Sequence, residues 1–238
     1  MKNSLPELDR PAFSVQDAVH LLEEQYGLCC TLEELPGERD RNYLARENNG
    51  ESYVLKISNS CETLEFLEVQ NYALESTAKL LEQGRIPRVY PNKNGESLSR
   101  VRSKSGSPHW MRIVRYVDGL PMADYRPHTK ELLEELGGMC GTVTEALQDC
   151  PAQPPARKLL WEIHNVQETL YEYMPWINEE KLRNWVSQSL DLYNQSLVPV
   201  ESKLRRGWIH NDFNDYNVLV VPELAGPPAL GLIDFGDM

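Results

Sequence analysis

Two short polar segments in the second half of the sequence carry residue types that suit phosphate chemistry. In the first, His210, Asp212 and Asn217 follow a His-x-Asp-x4-Asn spacing, and the second, 234–237, reads Asp-Phe-Gly-Asp. Phosphoryl transfer needs a carboxylate that orients the attacking hydroxyl and oxygen ligands that hold magnesium against the phosphates. We therefore predict that Asp212 orients the hydroxyl and that Asn217 and Asp234 bind magnesium.

The order of these residues favours a joint function. A single Asp or Asn in a turn is usually a helix cap or a mimic of the backbone. Here the first motif lies between apolar segments that are typical of strands, and the Asp-Phe-Gly sequence follows another such segment. The combination indicates a kinase-like active centre.

A kinase-like centre also requires a lysine on an early strand that contacts the nucleotide phosphates and pairs with a glutamate on the next helix. Lys56 is the lone charge in the apolar segment 53–57. Such a charge is costly to bury without a partner, whereas a lysine on an edge strand would point to water. The spacing allows Glu62, Glu65 or Glu68 as the partner, and we prefer Glu68 because it borders the apolar stripe of the helix.

The segment 35–43 lies where a phosphate-binding loop is expected. It contains one glycine rather than a Gly-x-Gly-x-x-Gly series. Backbone amides can still hold phosphate in such a loop. Arg39 or Arg41 could add positive charge there, although a loop arginine that simply points to water is the commoner case.

The hydrophobic periodicity predicts an α+β fold, with a mixed antiparallel sheet and one long helix in the first half and mainly helices in the second. Strands are expected at 28–35, 43–45, 52–57, 89–90, 98–101 and 110–117, with a hairpin turn at Asn48-Asn49-Gly50 between the second and the third. Helices are expected from the capping box at 14–17 to Gly27, and at 62–83, 129–148, 156–173 and 178–205.

A break in the strand pattern after residue 117 predicts two lobes, a nucleotide-binding lobe at 1–117 and a helical lobe with both polar motifs at 118–238. A purine base would be expected at the junction of such lobes. On position alone, we predict that the backbone of Arg115, Tyr116 and Val117 contacts it.

The composition narrows the classes of partner. The 238 residues carry a formal net charge of -12, which disfavours nucleic acid and suits a small cationic substrate. The cysteines lack the spacing of a structural zinc site and are expected to be reduced thiols. They are Cys29, Cys30, Cys61, Cys140 and Cys150. No secretory signal or membrane-length apolar run is evident, so we predict a cytoplasmic protein without a membrane partner. The sequence does not predict the oligomeric state.

Four segments resemble a known family. They are Tyr-Val-Leu-Lys-Ile-Ser-Asn at 53–59, Leu-Glu-Val-Gln-Asn at 67–71, Asn-Asp-Tyr-Asn-Val-Leu at 214–219 and Ile-Asp-Phe-Gly-Asp-Met at 233–238. With them the chain resembles the aminoglycoside phosphotransferase-like kinase superfamily and, within it, the hydroxylysine kinase family. The resemblance implies a two-lobed protein-kinase-like fold and supports Glu68 as the partner of Lys56. It also implies magnesium-dependent transfer of the terminal phosphate of GTP, or alternatively ATP, to the hydroxyl of 5-hydroxy-L-lysine.

The sequence departs from that family at two points. Asn211 stands where the family usually has glycine between the His and the Asp, although Asn tolerates a left-handed backbone better than most residues. The family also continues past its Asp-Phe-Gly-Asp turn, so an incomplete helical lobe and impaired catalysis are expected for a chain that stops at Met238. Two alternatives stay open. The acceptor could be another hydroxylated amine such as choline, homoserine or an aminoglycoside, or the chain could be a non-catalytic kinase-like binding protein.

Overall fold

The computed structural model describes residues 10–37, 39–150, 162–221 and 229–238. The chain divides into two compact units. The first consists of Met1–Ala152 together with Trp208–Met238, and the second of Gln153–Gly207. The lobe boundary predicted after residue 117 falls inside the first unit, and it stays a prediction.

The first unit contains an antiparallel sheet that has six strands within the described residues. The strands are β1 (Cys30–Leu35), β2 (Arg41–Glu47), β3 (Ser52–Ile57), β4 (Val89–Tyr90), β5 (Ser99–Arg102) and β6 (Pro108–Arg115). Their order is β1-β2-β3-β6-β4, with β5 also pairing with β6. The strand predicted at 43–45 extends over all of β2, and the predicted hairpin turn to β3 contains Gly50 at a φ of 94°.

Helix α1 (Val15–Tyr26) covers one face of this sheet and begins at the predicted capping box. The Asp17 N–H donates to the Ser14 hydroxyl at 3.2 Å, and the Ser14 N–H donates to the Asp17 carboxylate at 3.0 Å. The helix ends at Gly27, which has a left-handed φ of 73°. Its apolar stripe packs into a core with residues of the sheet, among them Tyr43, Leu55 and Ile113.

Helix α2 (Leu64–Leu80) is shorter at both ends than the predicted 62–83. The Thr63 hydroxyl accepts a hydrogen bond from the Phe66 N–H at 3.3 Å, which fixes the first helical residue at Leu64. At the other end Leu81 is already extended, and Gly84 lies in the turn that follows rather than at the helix cap.

A second antiparallel sheet of the first unit carries the two polar motifs. Its strands are β7 (Leu120–Pro121), β8 (Val218–Val221) and β9 (Ala229–Leu232), in the order β7-β8-β9. Helix α3 (Lys130–Ala146) shares a core with this sheet, to which it contributes Met139 and Val143. Because Val218 pairs with Leu232, the residue before β8 and the residue after β9 are neighbours. The end of the sheet therefore brings the first motif to the second.

The second unit contains helices α4 (Val166–Tyr173) and α5 (Glu180–Ser196). Residues 156–161 of the predicted helix at 156–173 lie outside the described residues. The helix predicted at 178–205 was too long, because α5 ends at Ser196 and is followed by turns and a short 3-10 helix at Glu201–Lys203. None of the helices in the described ranges combines the length and the apolar character that a bilayer span requires.

Candidate active site

The loop before β8 is shaped by the side chain of Asn214. Its amide oxygen accepts hydrogen bonds from the N–H groups of Tyr216 at 2.9 Å and Asn217 at 3.1 Å. Its amide nitrogen donates to Asp212 Oδ1 at 2.7 Å. An Asn that bonds to the backbone two residues on is a common way to stabilise a turn. Asn214 therefore holds the polar residues on both sides of it.

Asp212 and Asn217 form one hydrogen-bonded pair. The Asn217 Nδ2 atom donates to Asp212 Oδ2 at 2.8 Å and to the Asp212 backbone oxygen at 2.9 Å. Since both donations use the amide nitrogen, the amide oxygen of Asn217 is the atom directed away from Asp212. The Asp212 carboxylate is thus fixed in orientation, and the Asn217 amide oxygen on the opposite side can serve as a metal ligand.

His210 connects the same loop to the segment after β9. Its Nδ1 accepts from the Asp212 N–H at 3.4 Å, so the proton lies on Nε2, which donates to the Ile233 carbonyl at 3.0 Å. The ring is buried and packs edge to face against Phe213 and Phe235. Burial lowers the pKa of His210, against the opposing effect of the bond to Ile233. Burial thus favours the neutral form of His210, and its ring links the two motifs through the bonds to Asp212 and Ile233.

Asp234, predicted to bind magnesium, contacts Lys56, the lysine predicted to contact the nucleotide phosphates. The Lys56 Nζ atom lies 3.3 Å from Asp234 Oδ1, and that oxygen also accepts from the Gly236 N–H at 3.2 Å. The charge of Lys56 is the main cause that holds the pKa of Asp234 below its ordinary value. Asp234 has a left-handed φ of 59°, a strained conformation for a residue with a side chain, and such conformations are concentrated at functional sites.

The structure does not bring Glu68 to Lys56. The buried face of α2 includes Leu67, Gln70, Asn71 and Leu74, which leaves Glu68 exposed on a different side of the helix. Within the described residues, the ion pair that Lys56 forms is the one with Asp234. Helical spacing had placed Glu68 beside the apolar stripe, but the residues that α2 buries lie on another side of the helix.

Of the two loop arginines, Arg39 lies at the site and Arg41 does not. Arg39 Nη2 is 2.6 Å from Asp237 Oδ1, and its Nη1 is 4.0 Å from Glu62 Oε1. Arg41 instead pairs with Glu34 at 2.5 Å and donates to the Pro11 carbonyl. The predicted phosphate loop is therefore joined to the Asp-Phe-Gly-Asp turn through Arg39.

The segment predicted to bind a purine base is partly engaged by the sheet. The Arg115 N–H donates to the Arg88 carbonyl at 2.8 Å, and the Tyr116 N–H donates to the Ser52 carbonyl at 3.0 Å. Val117 is buried at 3% exposure. A base at this segment would therefore contact backbone groups other than these two N–H groups. That Arg115, Tyr116 and Val117 contact a base stays a prediction.

The sequence patterns did not single out Arg112, which is buried next to the site. It is the strand partner of Lys56, since β3 and β6 pair in the register that sets the two residues opposite each other. Its side chain donates to Gln70 and Asn71 of α2. The signal that identified Lys56, a charge within an apolar strand, also marks Arg112 and could have found it.

The oxygen atoms at the end of the second sheet suit magnesium. The Asn217 amide oxygen and the Asp234 carboxylate are hard donors, and magnesium usually takes one or two such ligands together with water and phosphate oxygens. No group of three or more His, Cys, Asp or Glu side chains in the described ranges is placed to hold a metal ion. The donor chemistry therefore fits the predicted ion.

The chain belongs to the phosphotransferase enzyme family, whose sequence profile matches residues 31–238. It is similar to the hydroxylysine kinase of Mus musculus, with 26% identity over 253 residues that cover 96% of this chain. It spans 66% of the length of that relative.

Solved structures share the fold. The microcompartment-associated aminopropanol kinase superimposes with a TM-score of 0.70 at 18% identity, over 94% of this chain and 70% of that chain. The GDP complex of wild-type aminoglycoside 2'-phosphotransferase-IIIa gives a TM-score of 0.63 at 17% identity, over 94% of this chain and 73% of that chain. The predicted α+β, protein-kinase-like fold class is confirmed.

Proposed function

We propose that the protein is a small-molecule kinase that transfers the terminal phosphate of GTP to the hydroxyl of 5-hydroxy-L-lysine. The observation that carries the proposal is the pair formed by Asp212 and Asn217 at the end of β8 and β9, where Asp234 forms its ion pair with Lys56 of the first sheet. This set contains a fixed carboxylate, a cation and two oxygen donors. Those are the groups that phosphoryl transfer to an alcohol requires.

In the proposed reaction, Asp212 accepts a hydrogen bond from the acceptor hydroxyl and takes its proton. The hydroxyl oxygen then bonds to the terminal phosphorus, while the bond from that phosphorus to the bridging oxygen of the nucleotide breaks. Lys56 neutralises charge on the phosphates. Asn217 and Asp234 would hold magnesium, which supplies further neutralisation when it is bound.

The choice of acceptor rests on the relatives and on charge. The similar protein from Mus musculus bears the name hydroxylysine kinase. Hydroxylysine carries two ammonium groups and one carboxylate, and the chain has a formal net charge of -12, so attraction at long range favours such a substrate. GTP is the proposed donor because the resemblance to the hydroxylysine kinases implies it.

The test is a coupled assay for nucleoside diphosphate release from the purified chain with GTP or ATP, magnesium and a panel of amines. 5-Hydroxy-L-lysine should give turnover, and L-lysine, which lacks only the hydroxyl, should give none. Removal of magnesium with a chelator should abolish the signal. Asp212→Asn serves as the inactive control.

Other outcomes would replace the proposal with specific alternatives. Turnover with choline, homoserine or an aminoglycoside, without turnover of hydroxylysine, would keep the kinase and reject the acceptor. Magnesium-dependent binding of nucleotide with no turnover of any acceptor would reject the enzyme and favour a kinase-like binding protein. A preference for ATP over GTP would overturn the donor alone.

A further inference from the structure

Arg112 is a buried cation that the proposed mechanism does not use. It lies in the middle of β6, directly opposite Lys56 of β3 in the strand register. Residues that are directly opposite on neighbouring strands project from the same face of a sheet. The two cations therefore stand side by side on the face toward which Lys56 extends to Asp234.

The guanidinium of Arg112 is bonded to two neutral amides of helix α2. Its Nη1 donates to Asn71 Oδ1 and its Nη2 to Gln70 Oε1, both at 2.5 Å. All three side chains are buried, with 5% exposure for Arg112 and Asn71 and 3% for Gln70. The contact fixes α2 to the sheet through a planar fork that a lysine cannot reproduce.

These partners leave the charge of Arg112 uncancelled. Within the described residues the hydrogen bonds of its side chain are those to the two amides, and its Nε has no partner. Burial lowers the pKa of Arg112, and the acids that oppose this effect through space are Asp40, Asp234 and Glu62, in that order. Arg112 is therefore attracted through space to Asp234 and to two acids of neighbouring segments, Asp40 and Glu62.

A buried arginine without an ion pair is costly, so packing alone is a poor reason for it. A hydrophobic side chain of similar volume would hold α2 against the sheet without that cost. The charge and the fork geometry are the two properties that such a replacement would lose. Both properties concern the active centre. The charge attracts Asp234, and the fork geometry holds α2, the helix beside Lys56.

We propose that Arg112 is a positioning residue for phosphoryl transfer, which fixes helix α2 beside Lys56 and supplies a second positive charge behind the nucleotide phosphates. The inference rests on the proposed function and assigns a role within the same site. It predicts two separable effects, one of charge on nucleotide binding and one of geometry on turnover.

The experiment compares Arg112→Met, which removes the charge and the fork, with Arg112→Lys, which keeps the charge. Arg100→Met is the matched control, because Arg100 is an exposed arginine of the same sheet that stacks on Trp110. Circular dichroism and thermal unfolding establish which variants are folded. For these, binding of fluorescent GTP with magnesium is measured without acceptor, and kcat and KM are measured with hydroxylysine.

Arg112→Met should weaken nucleotide binding and lower kcat by about tenfold each, the size expected for lost hydrogen bonds to a charged group. Arg112→Lys should restore most of the binding but not kcat, and Arg100→Met should match the unmodified chain. Folded Arg112→Met with unchanged binding and turnover would overturn the proposal while leaving the kinase assignment intact. Failure of both Arg112 variants to fold would also overturn it, because Arg112 would then be a core stabiliser.

If the unmodified chain binds nucleotide but turns over no acceptor, the proposed function fails. The binding measurements alone then decide whether the charge of Arg112 contributes to nucleotide binding. Equal affinity in the unmodified chain and in folded Arg112→Met would then reject that role.

Discussion

The amide nitrogen of Asn217 lies 2.8 Å from a carboxylate oxygen of Asp212. The residue proposed to hold magnesium thus also orients the residue proposed to receive the substrate proton. Neither role can be removed without disturbing the other. Effects of substitutions at the two positions should accordingly be smaller in combination than the product of their separate effects.

Replacing Asp212 with Asn should lower kcat by about a hundredfold or more, the range expected for the loss of a general base. The amide keeps the size of the side chain but replaces one oxygen that accepts from Asn214 or Asn217 with an N–H donor, so circular dichroism is needed to establish that the variant is folded. Asp215→Asn is the matched control, because Asp215 is an exposed carboxylate of the same loop. Steady-state assays of both variants check this, and equal activity in the two would show that Asp212 is not the base.

Asn211 should be replaceable by Gly but not by Ala. Its φ is 63°, and the left-handed region costs most residues roughly 1–2 kcal/mol, whereas Gly and, to a lesser degree, Asn adopt it more readily. Asn211→Ala should therefore lower the free energy of unfolding by about 1 kcal/mol, and Asn211→Gly should change it little. Urea denaturation of the three chains measures both values, and a neutral Asn211→Ala would contradict the strain at this position.

Gly231→Ala should destabilise the strand that leads to Asp234. A methyl group there would lie 2.9 Å from the Arg85 carbonyl oxygen and 3.1 Å from Val117 Cγ1, and the carbonyl belongs to backbone that cannot easily move. Overpacking of this kind typically costs about 1–3 kcal/mol. The loss should appear in denaturant unfolding and in weaker nucleotide binding.

Gly137→Ala is the matched control for Gly231→Ala. Gly137 lies inside α3, and a methyl group added there meets no atom within 4 Å. Because glycine is unfavourable in the middle of a helix, this variant should raise the free energy of unfolding by roughly 0.5–1 kcal/mol. The same sign of effect in both variants would reject the steric argument for Gly231.

The cysteines should differ in reactivity toward iodoacetamide. Cys29, Cys61 and Cys140 are exposed, whereas burial raises the pKa of Cys30 and of Cys150 from 9.0 to about 11. Since the thiolate is the nucleophile, the three exposed cysteines should be alkylated first at about pH 8. Peptide mass spectrometry of a time course checks the order, and early labelling of Cys150 would contradict it.

The raised pKa of Cys150 also determines how the free energy of unfolding depends on alkaline pH. The folded state favours the neutral thiol of Cys150, so its contribution to stability is complete below the unfolded pKa of 9.0. It is lost as the pH rises toward the folded value of about 11. A Cys150→Ala variant should show a weaker decline in unfolding free energy over that interval.

The sequence predicted those parts of the site that depend on local spacing. Asp212 and Asn217 are five residues apart in one loop, and the apolar strands after that loop and before Asp234 could be recognised from the residues alone. The capping box of α1 and the turn at Gly50 were also predicted, because a few adjacent residues determine them. These features needed no knowledge of how distant segments pack.

The contacts of Glu68 and Arg112 could not be predicted in this way. Which side of α2 faces the sheet depends on packing against β6, and that packing leaves Glu68 exposed. The charge within an apolar strand could have marked Arg112, but its position opposite Lys56 depends on the neighbouring strand. The register of β3 with β6 supplies that information, and register is a property of two distant segments.

The ion pair between Lys56 and Asp234 joins residues that are 178 positions apart in the chain. The pair of Arg39 with Asp237 spans 198 positions. Contacts of such high sequence separation carry a large loop-closure entropy, so they are expected to form only after the two sheets exist. The amino-terminal strands alone cannot form this geometry, because its partner residues lie near the other end of the chain. Nucleotide binding should therefore be among the last native properties that a refolding chain regains.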